Sequence, residues 1–165
     1  MNKLSQYEMI STVFDFPDQY YPERVQSVIE QMGKQYPEAE APLQRFMELL
    51  PKQDTDAMQE LFIRSFDVQS LTTLDIGYIV FGDDYKRGEL LANLNREHLK
   101  AQNDCGHELA DHLPNVLRLM AKWDDRELSE DLVQIILAPA LRIMLEEFSP
   151  ERVEQKKKSY KIKDS

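Results

Sequence analysis

Residues 71 to 82, LTTLDIGYIVFG, suit a buried strand as well as a helix, and the class of the whole molecule turns on them. Ile76, Tyr78, Ile79, Val80 and Phe81 are β-branched or aromatic, the side chains that a pleated, half-buried surface favours. A strand leaves its backbone N–H and C=O groups unsatisfied unless another strand pairs with it, and no second strand-like run is present. The stretch is therefore predicted to be helical, and the rest of the chain follows the same pattern.

On the N-terminal side, Leu4, Tyr7, Ile10, Val13 and Phe14 recur at helical spacing until Phe16-Pro17-Asp18 breaks it. Pro22 suits a first helical turn, Val25, Val28, Ile29 and Met32 form an apolar stripe, and Gly33 stands where a C-terminal cap belongs. A third helix is predicted from about Pro37 to Leu50, and Asp54 is a plausible N-cap for a fourth with Met58, Leu61, Phe62 and Phe66 inward. On the C-terminal side, a helix over about Asp84 to Gln102 is closed by Asp104-Cys105-Gly106. Pro114 places Asp111 or His112 at the start of the next. Leu128, Leu132, Ile135, Ile136, Leu141, Met144, Leu145 and Phe148 predict a long apolar helix, kinked near Pro139 and central to the bundle. The expected architecture is an all-α, single-domain bundle of seven or eight helices over residues 1–150, followed by a basic, flexible tail over 151–165.

The chain has 165 residues, enough for one domain with a real core, and a net charge of −10. The tail holds six Lys or Arg against three acids, so the preceding body is more acidic than the whole. An acidic body disfavours nucleic acid and anionic lipid and favours a basic peptide. No apolar run is long enough to cross a bilayer and the first ten residues lack the apolar core of a secretory signal, which predicts a cytoplasmic protein without stable membrane association.

Chemistry-bearing patterns are few. Cys105 is the single cysteine, with Asp104 and Glu108 beside it to raise its thiol pKa, so no disulfide, cysteine zinc site or activated thiol is expected. Nucleotide-binding glycine loops and the serine nucleophile elbow are absent from the sequence. His98, His107 and His112 each lie near a carboxylate but do not form the paired Glu-x-x-His pattern of di-iron bundles. A small helical metal-binding enzyme using these histidines is the alternative reading. The leading one has no catalytic residues, no metal and no cofactor.

The corner VFGDDYKRGELLANL, Val80 to Leu94, carries Gly82 as a helix terminator and Asp83 or Asp84 as the next N-cap. Gly88 inside the following helix costs about 1 kcal/mol relative to alanine, which points to close helix packing in preference to ligand binding. Arg87 is placed to pair with Asp83 or Asp84 and staple its own corner.

Three motifs in order, Phe66-Asp67 with Leu74, then Gly82-Asp83-Asp84-Tyr85-Lys86-Arg87-Gly88, then Glu108-Leu109-Ala110-Asp111-His112-Leu113-Pro114, resemble those of the NarJ-type members of the TorD/DmsD/NarJ group. These are assembly chaperones of molybdenum enzymes, similar to the nitrate reductase delta subunit. The resemblance spans roughly Leu61 to Trp123. One departure is Leu-Ala-Asp-His-Leu-Pro over residues 109–114, where that group carries a Leu-Pro-Asp-Tyr-Leu-Pro version.

The resemblance implies a TorD-like all-helical fold, no catalysis, and binding of the N-terminal segment of a molybdenum oxidoreductase catalytic subunit until the molybdenum cofactor is inserted. It implies that Glu108, Asp111, His112 and Pro114, with Tyr85 and Arg87, are candidate peptide-binding residues. Phe66, Asp67, Gly82, Asp84 and Gly88 would be structural motif positions. An amphipathic groove with apolar anchors below and carboxylates at its rim is the physical form such binding would take. Asp111 is then either the partner of a peptide arginine or the cap of its own helix, and His112 either a pH-sensitive contact or a surface group. A monomer and a dimer are both compatible.

Overall fold

The computed structural model describes residues 3–163 and is all helical, with a single isolated β-bridge. In chain order the elements are α1 (Lys3–Ser11), a 3₁₀ turn (Thr12–Phe14), α2 (Tyr21–Gln35), α3 (Pro37–Leu49), α4 (Thr55–Phe66), α5 (Ile76–Phe81) and α6 (Tyr85–Lys100). Then follow α7 (Leu113–Lys122), α8 (Arg126–Leu132), a π-helical turn (Val133–Leu137), α9 (Ala138–Glu147) and α10 (Pro150–Lys163). Counting α8, the π turn and α9 as one continuous rod, the described residues before the tail contain eight helices, as expected, and α10 adds a ninth. The Leu4 side chain and residues 164–165 lie outside the described residues.

Local capping chemistry sets most of the boundaries. Asp54 accepts from the Ala57 amide at 3.0 Å, Asp84 from Lys86 at 2.9 Å and Asp125 from Leu128 at 2.9 Å, each satisfying an amide that has no partner within its helix. Pro22 and Pro114 sit in first turns, where a missing N–H costs nothing. Gly33 does not terminate α2, which continues to Gln35. Where a kink is expected near Pro139, the rod carries a π turn that ends at Leu137, in the turn on whose carbonyl the proline ring would otherwise press.

The centre of the molecule is α7, not the long rod: residues 113–117 and 119–121 are all buried. The rod buries Leu132, Ile136, Leu137, Ala140 and Met144 but leaves Ile135 and Leu145 61% and 75% exposed. Its apolar residues spread around more than one face, so a single packed side cannot bury them all. A second cluster joins Tyr21, Val25 and Ile29 of α2 to Leu50 and Met58, with Leu43, Phe46 and Met47 of α3 against it. Full burial of each large side chain contributes about 1.5–3 kcal/mol. The Tyr21 phenol donates to the Val13 carbonyl at 2.6 Å, tying α2 to the 3₁₀ turn, and burial pushes its pKa up to about 12.

The ambiguous stretch resolves into two parts. Only Ile76–Phe81 is helical, stopped by Gly82 at φ +59°. Leu74 lies in a bend and Asp75 stands just before the helix, and they do find a partner. The Leu113 amide donates to Leu74 at 2.8 Å and the Ile76 amide to Asp111 at 3.1 Å, making an antiparallel bridge between Asp75 and His112.

The tail expected to be flexible is helix α10. Glu, Gln and Lys are good helix formers, Glu154 and Lys158 stand one turn apart, and Lys156 pairs with Glu147 of α9 at 3.1 Å. No helix of the described residues is long and apolar enough to cross a membrane.

Candidate functional site

The bridge between Asp75 and His112 forms part of the wall of a cleft of about 610 Å³. Its apolar lining comes from Phe14 and Phe16 after α1, Phe62 and Phe66 of α4, Leu74, and Pro114 at the start of α7. Phe16 meets Phe62 edge to face at 5.4 Å, Phe62 meets Phe66 at 5.2 Å, and Phe66 meets Phe148 at 6.1 Å, so a row of aromatic rings supports one side. Phe16 is 51% exposed, an apolar surface offered to a ligand.

Around these rings stand the carboxylates of Asp15, Asp67, Asp75, Asp104 and Glu108, with His107 and His112. The Arg118 guanidinium also lines the cleft, but one of its nitrogens lies 2.6 and 2.7 Å from the two Asp15 oxygens. The balance of charge at the rim is acidic. Such a lining accommodates apolar side chains flanked by basic ones.

Behind the wall lies a buried ionic node. The Asp111 side chain is fully buried, and Arg87 donates to it through Nε at 3.0 Å, with a second nitrogen 3.5 Å from Asp75. The Arg87 guanidinium also lies over the Tyr78 ring, 5.3 Å from its centroid. The Asp111 hydrogen bond, foremost, holds the arginine in its charged form. Asp75 then passes the constraint on, since its other oxygen lies 3.1 Å from His112 Nδ1. An ionised carboxylate only accepts, so His112 donates through Nδ1 and its orientation in the cleft is fixed. Gly77 makes the node possible, because a Cβ there would stand 2.5 Å from Asp111 Oδ2 and 2.9 Å from Leu90 Cδ2.

The adjoining Cys105–Leu109 segment is pinned by a second network. The Asn115 side-chain amide donates to the Cys105 and Leu109 carbonyls at 3.2 and 3.1 Å. The Asn103 amide nitrogen donates to the Asn115 carbonyl at 3.1 Å and reaches His98 Nδ1 at 3.0 Å. Nδ1 is therefore the acceptor, and the Nε2 proton goes to the Ala110 carbonyl at 2.9 Å. With both ring nitrogens engaged inside the protein, His98 positions this segment and is not free to ligate. Among the described residues no group of three or more His, Cys, Asp or Glu side chains converges as a metal-binding set. Burial first, and then Asp104, raises the Cys105 thiol above its ordinary pKa, the direction opposite to nucleophilic activation.

The motif residues thus divide. Phe66, Asp67, Glu108, His112 and Pro114 line the cleft, whereas Arg87 and Asp111 stand behind it and Gly82, Asp84, Tyr85 and Gly88 do not line it. Three expectations are corrected. Asp111 neither caps α7 nor faces outward to meet a peptide arginine, because it is buried and bonded to Arg87 of its own chain. Arg87 does not staple its own corner through Asp83 or Asp84, because its guanidinium reaches the buried acid 24 residues away. Gly88 is not required by close packing, since a Cβ there would meet nothing within 4 Å.

The lining residues Phe14, Asp15, Phe16, Asp75 and Arg118 and the pinning residues Asn103 and Asn115 carry no local motif. Asp75 precedes an apolar run and Asn115 lies one residue after Pro114, but neither spacing reveals a partner. An all-helical scaffold with an aromatic, acidic-rimmed cleft is the class these observations define. No known protein family, curated protein or solved structure matches the chain.

Proposed function

We propose that the protein is a non-catalytic cytoplasmic chaperone of the NarJ type, binding the N-terminal segment of a molybdenum oxidoreductase catalytic subunit in this cleft while the molybdenum cofactor is inserted. The observation that carries the reading is the cleft's combination of an aromatic floor and an acidic rim. Residues of the first and third motifs, Phe66, Asp67, Glu108, His112 and Pro114, converge there from segments some forty residues apart in sequence. Apolar anchors of a client segment lie against Phe16, Phe62 and Phe66, and its basic residues meet Asp67, Asp104 and Glu108. The Arg87 node holds His112 in place and the Asn115 network holds the Cys105–Leu109 segment, so the wall is preorganised and less entropy is lost when the segment binds.

Co-expression with a candidate molybdenum catalytic subunit is expected to give a stable complex that disappears when the subunit's N-terminal segment is deleted. Asp67→Lys with Glu108→Lys, both at exposed rim positions, should weaken it about ten-fold by turning attraction into repulsion. Failure of every molybdenum subunit encoded beside this chain to co-purify would count against the proposal.

A further inference from the structure

The segment between α4 and α5, residues 67–75, contributes Asp67, Thr73, Leu74 and Asp75 to the cleft wall. It is irregular, and Gln69 is held at φ +49°, a conformation that L residues adopt at a cost. Its far end is fixed by the bridge to His112, and the Leu71 and Thr72 amides at its middle donate to Arg64 and Ser65 of α4. The carbonyls of Ser70 and Leu71, midway, are held by α10. Lys156 Nζ donates to Leu71 and lies 3.4 Å from the Ser70 oxygen, while the Tyr160 hydroxyl reaches the same Ser70 oxygen at 3.3 Å. Glu147 of α9 holds the Lys156 ammonium in position at 3.1 Å.

We infer that α10 is a strap that holds the 67–75 wall of the cleft, so that the anchorage of the basic C-terminal helix and the shape of the cleft are coupled. An ammonium donating to backbone carbonyls is a charge-assisted bond, stronger than a neutral one, and two of the three contacts use it. Detaching Lys156 removes both charge-assisted contacts and leaves the middle of the wall held by the Leu71 and Thr72 amides and the Tyr160 hydroxyl alone. By reciprocity, an occupant that moves this wall also loosens or tightens α10. The inference does not depend on the identity of that occupant.

Hydrogen exchange of the full-length protein tests it, using Lys156→Met, which keeps the apolar stem, and Tyr160→Phe, which removes one hydroxyl. In Lys156→Met the Leu71 and Thr72 amides should exchange about ten-fold faster and in Tyr160→Phe about three-fold faster, with α7 amides unchanged in both. Unchanged exchange at Leu71 and Thr72 in both variants would overturn the strap. So would a uniform rise across α7 and the wall alike, which would mark a general loss of stability. If Lys156→Met fails to fold, Tyr160→Phe decides by the same two outcomes.

Discussion

Gly77→Ala is expected to destabilise the protein by about 3 kcal/mol, lowering its melting temperature by roughly 10 °C. In a helix the same change ordinarily stabilises by about 1 kcal/mol, so the sign itself is diagnostic. The added methyl would stand 2.5 Å from a carboxylate oxygen that is fully buried and holds Arg87, with Leu90 closing the other side at 2.9 Å. Either α5 moves away from α6 or Asp111 turns from its guanidinium, and both outcomes disturb the Asp75–His112 wall. Gly88→Ala, one helix further on, should do the reverse and stabilise by about 0.5–1 kcal/mol, since nothing opposes the gain in helix propensity. Thermal unfolding of the two variants side by side checks the pair. Similar behaviour at both glycines would refute the packing described around the node.

Arg87→Met should cost about 3 kcal/mol, because it strands a buried carboxylate rather than merely deleting a bond. The arginine side chain is 18% exposed and its partner 0%, so the penalty falls mostly on Asp111. Asp111→Asn should cost about 2 kcal/mol in the native protein. In the Arg87→Met background the same substitution should instead restore about 1–2 kcal/mol, because it removes the unpaired charge. Urea unfolding of the four proteins gives the cycle directly. Additive losses would mean that the pair is not coupled in the way its geometry states. The functional consequence travels through Asp75, whose carboxylate is shared between Arg87 and His112.

How much of this the chain discloses by itself depends on the range of the interaction. Asp54 and Asp84 are legible as caps because a cap is a contact within three residues, and Pro22, Pro114 and Gly82 act through their own backbone angles. The helix α10 was hidden because its stability rests on local propensity and on Lys156, not on an apolar face. Arg87 and Asp111 are 24 residues apart, Asp75 and His112 37, and Arg118 and Asp15 103, and no local period encodes such pairings. Gly77 looks like an ordinary helix glycine until α6 and the Asp111 segment are brought against it. Gly88, by contrast, attracts notice in the sequence and meets open space. For the cleft, the resemblance points to Glu108, His112 and Pro114 and gives Phe66 and Asp67 only as structural positions, and the aromatic row from Phe16 to Phe148 exists only after the segment following the 3₁₀ turn, α4 and the end of α9 have packed.

The central claim is that this cleft receives a segment of another protein. Amide NMR of the isotope-labelled protein, titrated with a synthetic peptide of a candidate client's N-terminal segment, tests it most directly. Saturable shifts are expected over Phe14–Phe16, Phe62–Asp67 and Cys105–His112, with the Val25, Ile29 and Phe46 cluster unmoved. Shifts centred away from the cleft, or none at all for peptides of each neighbouring molybdenum subunit up to about 1 mM, would contradict it.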